Sequence, residues 1–184
     1  MSADSRSFMR RVRPTNGKCD IISPKEQRKM TALQIAGAFS SAFARKYGTE
    51  IDEMKLHKML YLAQRESLIR RDRVLFGETI YAWQFGPVIK EVRDAFLGKK
   101  GVIEGCVCDA SEDAEIIDYV FQTYAGKTSW SLSRLTHCEM SWKNARRDRL
   151  HGGGNRPMLI SDIRKDAERI RERRRLLGDR IEVR

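Results

Sequence analysis

The chain has 184 residues, is 41% hydrophobic and 33% charged, and carries a formal net charge of +11. This length suffices for one domain that buries roughly 70% of the surface of its unfolded form. No apolar run approaches the roughly 20 residues that span a bilayer, and the N-terminus, MSADSRSFMRRVRP, lacks the apolar middle of a signal peptide. The composition argues against a membrane partner, and we expect a cytoplasmic protein.

The positive charge is concentrated at the two ends of the chain. The net charge is +5 over residues 1–30, +2 over residues 31–155 and +4 over residues 156–184. Basic ends of this kind attract phosphate backbones or acidic proteins in a salt-sensitive manner. An ordinary solvated surface is the alternative.

The first predicted elements are an arm and two helices. Residues 1–30 contain two prolines and little apolar periodicity, which predicts a loosely held arm. Apolar side chains recur every four positions over residues 31–47, and Gly48 follows as a helix stop. Asp52 then caps a second helix that runs to about Arg70. One face of that helix carries Leu56, Met59, Leu60, Ala63 and Ser67.

A stretch of β-prone side chains follows the second helix. Residues 74–76 and 79–83 predict a small hairpin or an extended segment. Because side chains alternate along a strand, Tyr81, Trp83 and Phe85 share one face. We expect the Trp83 ring to lie in the core, since fully exposed tryptophan is rare, although such aromatics also anchor protein interfaces.

Five helices are predicted after the hairpin, each beginning at a residue suited to a helix N-terminus. Those residues are Pro87, Ser111, Thr128 or Ser129, Ser141 and Ser161. The helix after Pro87 should end at Gly98, and the helix after Ser141 should run from Trp142, another expected core residue, to about Leu150. Short strands are predicted at residues 102–103 and 106–108.

These elements predict a mainly α fold, a compact helical domain with a small β-hairpin or short extended segments. The domain should span residues 31–175, between the basic arm and a C-terminal tail of residues 176–184. No repeat at solenoid spacing and no sustained heptad pattern is present.

The sequence supplies no positive case for an enzyme or a cofactor. AGKT at residues 125–128 resembles the end of a phosphate-binding loop, but the first glycine of that loop would fall at Phe121. HGGG at residues 151–154 resembles an esterase oxyanion loop, yet the chain has no Gly-x-Ser-x-Gly nucleophile elbow. A flexible glycine hinge is the better interpretation.

Two chemical alternatives remain open at this stage. A zinc site would use Cys106, Cys108, His137 and Cys138, but one residue between paired cysteines is fewer than structural zinc sites usually have. A small hydrolase would use one of the three histidines as its base, although none has a nucleophile close by in sequence. Those histidines are His57, His137 and His151.

Several ordered blocks of residues resemble the Panacea domain of the SocA-like antitoxin family. The blocks are Lys55, Leu56, Lys58, Met59, Leu60, Tyr61, Leu62, Ala63 and Gln64; Leu75 and Phe76; Ala82, Trp83, Gly86, Pro87 and Val88; and Leu132, Leu135, Thr136, His137 and Trp142. Residues 160–170 resemble the closing helix of the family, and the resemblance spans roughly residues 31–175. The chain departs from the family pattern at Ser141, where proline is usual, and in its arginine-rich last helix.

The resemblance implies an antitoxin that binds and neutralises a protein toxin encoded by an adjacent gene. In one branch of the family the antitoxin instead delivers its toxin to a protease. The resemblance gives the signature residues mostly structural roles. The competing hypothesis is a nucleic-acid-binding transcriptional regulator, which rests on the basic ends of the chain.

Candidate partner-binding residues follow from side-chain type. Arginine suits acidic partners because its planar guanidinium binds carboxylates through two parallel hydrogen bonds. The candidates are Arg70, Arg71, Arg73, Phe85, Arg171, Arg174 and Arg175.

Overall fold

The computed structural model describes residues 30–98, 112–147 and 155–178. These residues form seven helices and one hairpin of two antiparallel strands, which confirms the prediction of a mainly α fold. The elements are α1 (Ala32–Tyr47), α2 (Glu53–Arg71), β1 (Ile80–Trp83), β2 (Gly86–Ile89), α3 (Lys90–Leu97), α4 (Glu112–Tyr124), α5 (Ser129–His137), α6 (Met140–Ala145) and α7 (Ile160–Leu177).

The first two helices begin where the sequence predicted. Thr31 and Gln34 form a reciprocal capping box at the start of α1, and Gly48 ends that helix with a left-handed backbone. The Asp52 side chain accepts a hydrogen bond of 2.8 Å from the backbone N–H of Lys55 at the start of α2. Such side-chain caps satisfy N–H groups that have no partner within the helix.

Helix α2 is the centre of the fold: it packs against α1, α3, α4, α5, α7 and β2, and a side-chain hydrogen bond joins it to α6. The sequence predicted a single apolar face on α2, and this was incomplete because every residue from 56 to 69 is buried. The buried set includes the polar residues His57, Lys58, Gln64, Arg65, Glu66 and Ser67. Buried polar groups need partners from other elements, so α2 organises most of the polar contacts described below.

The hairpin pairs Ile80 with Ile89 and Trp83 with Gly86. The prediction that Pro87 begins a helix was wrong, since Pro87 lies in β2 opposite Ala82 and α3 begins at Lys90. Proline is tolerated here because the Ala82 N–H points away from β2 and donates to the Arg156 carbonyl at 2.8 Å.

Other local predictions were also wrong. Residues 74–76 are not a strand of the hairpin, which pairs β1 with β2, and α6 ends at Ala145 instead of about Leu150. Ser141 lies inside α6 and does not cap it, because the buried Asp166 carboxylate accepts the N–H groups of Met140 and Ser141 at 2.9 and 2.8 Å.

Helix α7 begins one residue earlier than predicted, at Ile160, with Leu159 at its N-cap. Several predictions lie outside the described residues: the arm up to residue 29, the strands at residues 102–103 and 106–108, the Ser111 cap, the HGGG loop and the last six residues of the tail.

Candidate functional site

The signature residues converge on one region, where the N-terminal half of α2 meets the hairpin, α5 and α6. Tyr61 is fully buried, and its hydroxyl lies 3.1 Å from the Ser141 hydroxyl in a hydrogen bond that joins α2 to α6. Leu56 and Val88 are buried in the same region, and Lys55 donates to the Ala125 carbonyl at 3.2 Å. These contacts support the mostly structural role implied by the resemblance.

The Gln64 side chain makes hydrogen bonds to the backbone of Leu75 and Phe76 of the kind that a neighbouring strand would make. Its side-chain oxygen accepts the N–H groups of Leu75 and Phe76 at 2.9 and 3.2 Å, and its side-chain nitrogen donates to the Phe76 carbonyl at 3.1 Å. The segment that contains Leu75 and Phe76 is therefore held by one side-chain amide of α2.

Lys58 lies directly behind the turn of the hairpin. A Cβ atom placed on Gly86 would come within 2.7 Å of the Lys58 Cε atom and 3.0 Å of the Thr136 Oγ1 atom. Gly86 also has a φ angle of +111°, which side chains rarely permit. Glycine is thus required at this position by both backbone conformation and space.

The Lys58 side chain is buried, and within the described residues its ammonium makes neither a hydrogen bond nor an ion pair. Burial lowers its pKa from 10.5 to about 8, and the charges of Asp52 and Glu53 only partly oppose that shift. A buried cation without a paired anion destabilises the fold, since its lost hydration is not replaced.

His57 is neutral in this structure. Burial, followed by the charges of Lys58 and Arg93, lowers its pKa to about 3, even though Glu53 lies 3.6 Å from its Nε2 atom. The hydrogen bonding agrees, because the Nδ1 atom accepts the N–H of Ile89 at 3.3 Å, which a protonated ring could not do.

His137 and Trp142 stack with ring centroids 4.0 Å apart. The Trp142 Nε1 atom donates to the Trp83 carbonyl at 3.1 Å, which fixes α6 against the hairpin. Burial lowers the pKa of His137, with contributions from the charges of Lys58 and Arg146, whereas a backbone hydrogen bond to Gln84 raises it.

The two tryptophans expected in the core are only half-buried. On β1 the buried side chains are Ile80 and Ala82, so the face shared by Tyr81 and Trp83 is the outer one. The placement of Trp83 in the core was therefore wrong, because the neighbouring strand residues supply the buried face. Trp142 packs against the edge of the core.

Phe85 contacts an aromatic residue, Trp130, that was not among the predicted site residues. The Phe85 and Trp130 rings contact each other edge to face, with centroids 5.8 Å apart, and their exposed fractions are 51% and 62%. Trp130 lies in the polar stretch TSWS at the start of α5. An isolated tryptophan among small polar residues was the available signal for an exposed aromatic side chain.

Four of the six candidate arginines bind carboxylates within the fold. Arg174 donates twice to Glu66, at 2.9 and 2.8 Å, and Arg70 donates to the same carboxylate at 2.6 Å. Arg71 and Arg73 both bind Asp113 of α4, at 3.5 and 2.6 Å.

The remaining two candidate arginines differ from each other. Arg171 donates to the Ile69 and Leu68 carbonyls at 2.8 and 2.6 Å, which satisfies the C-terminal end of α2. Arg175 is exposed and has no ion pair within the described residues. The arginines thus lie together near the end of α2, and Phe85 lies apart from them at the hairpin.

The described residues contain no group of three side chains suited to hold a metal ion. Cys138 is free and exposed, and Cys19, Cys106, Cys108 and His151 lie outside the described residues. AGKT connects α4 to α5, where Thr128 caps α5 through a 3.2 Å hydrogen bond from the Ser131 N–H. The fragment follows a helix, whereas a phosphate-binding loop follows a strand.

The fold and this site define a small helical domain with its hairpin set against a buried central helix. The family model described as "Antitoxin SocA-like, Panacea domain" matches residues 56–107, which confirms the resemblance over that range. The matched range includes most of α2, the hairpin and α3. Neither the curated proteins nor the solved structures contain a significant match to the chain. Among the described residues, no helix has the length and apolar character that crossing a membrane requires.

Proposed function

We propose that the chain is the antitoxin of a toxin–antitoxin pair and that it neutralises its toxin by direct binding. The observation that carries this proposal is the match to the antitoxin family over residues 56–107. That range contains the contacts that unite α2 with the hairpin, so the match concerns the centre of the domain. The family suggests a role without catalysis, and neutralisation by binding requires only a suitable surface.

Co-expression tests this proposal directly. The neighbouring open reading frame is expressed from an inducible promoter, alone or with this chain, and growth is measured. We expect the neighbour to arrest growth alone and to permit growth when this chain is present. A non-toxic neighbour, or one that remains equally toxic with this chain, would contradict the proposal. A co-expressed chain of similar size and charge serves as the control.

Neutralisation by a stable complex and delivery to a protease differ in the fate of the toxin. In a stable complex the toxin persists, and purified toxin and antitoxin elute together from a sizing column. In proteolytic delivery the half-life of the toxin falls when the antitoxin is present and recovers in strains that lack the protease. We favour the stable complex, and a shortened toxin half-life would contradict that choice.

A nucleic-acid-binding regulator is the second candidate, supported by the net charge of +11 and the basic ends of the chain. Within the described residues many arginines already bind carboxylates, which reduces the cations available to phosphates. A gel-shift titration at several salt concentrations decides between the candidates. Binding through several phosphates weakens steeply between low and moderate salt, and absence of a shift at low salt would remove this candidate.

A further inference from the structure

Two exposed aromatic rings from different elements form one contiguous apolar patch. Phe85 is in the hairpin turn, Trp130 is on α5, and the two rings are in edge-to-face contact. The Ser133 hydroxyl donates to the Phe85 carbonyl at 2.9 Å and so holds the turn against α5. Exposed aromatics that are fixed in this way lose little conformational entropy when a partner binds.

Two cations near the patch make no ion pair within the described residues. Arg134 lies one helical turn after Trp130, is exposed, and makes no ion pair within the described residues. The Lys58 ammonium lies behind Gly86, at the base of the same turn.

Two carboxylates act on Lys58 at this end of the domain, and one of them is paired with an arginine. Asp52 accepts the Ser129 hydroxyl at 2.6 Å in addition to its capping bond, and Glu53 binds Arg93 at 2.6 Å. Hydrogen bonds from neutral groups leave the charge of Asp52 in place, so this one unpaired carboxylate offsets only part of the charge of Lys58 and Arg134.

We propose that Phe85, Trp130 and Arg134, which we call the hairpin-end surface, bind a toxin segment that carries an apolar side chain beside a carboxylate. This inference rests on the proposed antitoxin function and adds the place of contact and its chemistry. The apolar side chain packs against the aromatic pair, and the carboxylate binds the Arg134 guanidinium in the positive field of Lys58. Tryptophan and arginine are the residue types that most often dominate binding energy.

Charge favours a toxin segment at the hairpin-end surface over the N-terminal arm or a second copy of the chain. The arm of the chain itself is basic, with a net charge of +5 over residues 1–30, and it would be repelled by Arg134 and Lys58. A second copy would bring the same cations against themselves if the surface met its own equivalent. An acidic segment of the toxin meets no such repulsion.

Binding measurements with matched variants test the inference. The full-length chain is titrated against the purified toxin as wild type, as the double variant Phe85→Ala/Trp130→Ala, and as Arg134→Glu. We expect the double variant to bind at least roughly 30-fold more weakly, since truncation of dominant contacts has effects of this size. Arg134→Glu should bind at least about tenfold more weakly, with a smaller effect at high salt.

Two control variants distinguish an effect at the hairpin-end surface from a general loss of binding. Phe96→Ala removes an aromatic side chain of 38% exposure from α3, and Arg173→Glu reverses an exposed charge on α7; both should bind as wild type does. Circular dichroism verifies that each variant is folded. Wild-type affinity in both surface variants would overturn the inference and leave the antitoxin proposal intact, whereas absence of wild-type binding would overturn both.

A photoreactive phenylalanine analogue at position 130 of the full-length chain identifies the occupant independently of any loss of affinity. Crosslinking to the toxin, in competition with excess unlabelled wild-type chain, supports the inference. Crosslinking to the arm of the same chain or to a second copy, with none to the toxin, would overturn it.

Discussion

The two ends of α2 use positive charge in opposite ways. At the C-terminal end, Arg70 and Arg174 bind the buried Glu66 carboxylate, and Arg171 binds the last carbonyls of the helix. Near the N-terminal end, Lys58 is buried without any such partner. The paired end connects α7 to α2 and has its charge neutralised, whereas the unpaired end keeps a positive field beside exposed aromatic rings.

This difference shows that charge in a sequence does not by itself mark a binding surface. Lys58 and Arg70 are 12 positions apart, which corresponds to about 18 Å along the helix axis. Over that distance the same helix passes from a buried lysine that makes no ion pair to an arginine that is paired with the buried Glu66 carboxylate. Whether a carboxylate forms an ion pair with the side chain decides which role an arginine or lysine has.

The largest expected loss of stability comes from a substitution at the C-terminal end of α2, where the arginines are paired. Glu66→Ala leaves Arg70 and the mostly buried Arg174 without their shared carboxylate, and should lower the free energy of unfolding by about 3 to 5 kcal/mol. Urea denaturation measures this loss. Glu115→Gln, which removes an exposed partner of Arg71, is the control and should cost about 1 kcal/mol or less. Equal losses in the two variants would contradict the comparison.

The same carboxylate makes stability dependent on pH. Burial alone would raise the pKa of Glu66, but hydrogen bonds from Arg174 and Arg70 outweigh it and hold the pKa below 4.5. A pKa that is lower in the folded state contributes stability above the pKa of the unfolded chain and loses it as pH falls through the folded value. Wild type should therefore lose stability below about pH 4.5 more steeply than Glu66→Ala.

A substitution in the hairpin turn, near the N-terminal end of α2, should have the next largest effect on stability. Gly86→Ala forces a side chain into a positive φ and against Lys58, and should destabilise the domain by ~2 to 4 kcal/mol. Gly77→Ala is the matched control, because a Cβ there meets no atom within 4 Å and its φ is not positive. Thermal denaturation compares the two. If Gly86→Ala were as stable as Gly77→Ala, the close packing of Lys58 beneath the turn would be wrong.

Lys58→Met should stabilise the domain, in contrast to the two changes above. The lowering of the Lys58 pKa from 10.5 to about 8 corresponds to roughly 3 kcal/mol of unfavourable burial of the charged form. Methionine retains most of the apolar contacts of the stem, so we expect a gain of ~2 to 3 kcal/mol at pH 7 by urea denaturation. A loss of stability would show that the ammonium has a partner.

The pH dependence of stability provides a second test of the Lys58→Met prediction. Between pH 8 and 10.5 the unfolded chain retains the lysine proton that the folded chain has released, so wild-type stability contains a component that rises with pH. The stability difference between Lys58→Met and wild type should shrink across that interval. A difference that stays constant would mean that Lys58 has an ordinary pKa in the folded chain.

Local signals in the sequence predicted much of the fold. The spacing of apolar residues in α1, the Asp52 and Thr128 caps and the Gly48 stop all act within a few positions of the chain, and each was found. The position of β1 was also predicted, whereas β2 lies where a helix was expected. The prediction that Pro87 begins a helix was wrong because the place of this proline in β2 depends on a distant contact. The Ala82 N–H donates to the Arg156 carbonyl on the opposite edge of β1.

The parts that were not predictable depend on partners distant in sequence. The cap of α6 is supplied by Asp166, which lies 25 positions after Ser141. The polar residues of α2 looked solvent-exposed because their partners, such as Arg174 for Glu66, belong to other helices. The candidate arginines were identified by type alone, and only the fold shows that four of them are paired with carboxylates within the domain.

Hydrogen exchange of the full-length chain, with and without its toxin, tests most directly whether the two ends of α2 divide structural and binding roles. We expect added protection in the complex at residues 84–86 and 129–135, and unchanged exchange in the last turns of α7. Protection confined to α7, with residues 84–86 and 129–135 unchanged, would contradict this expectation.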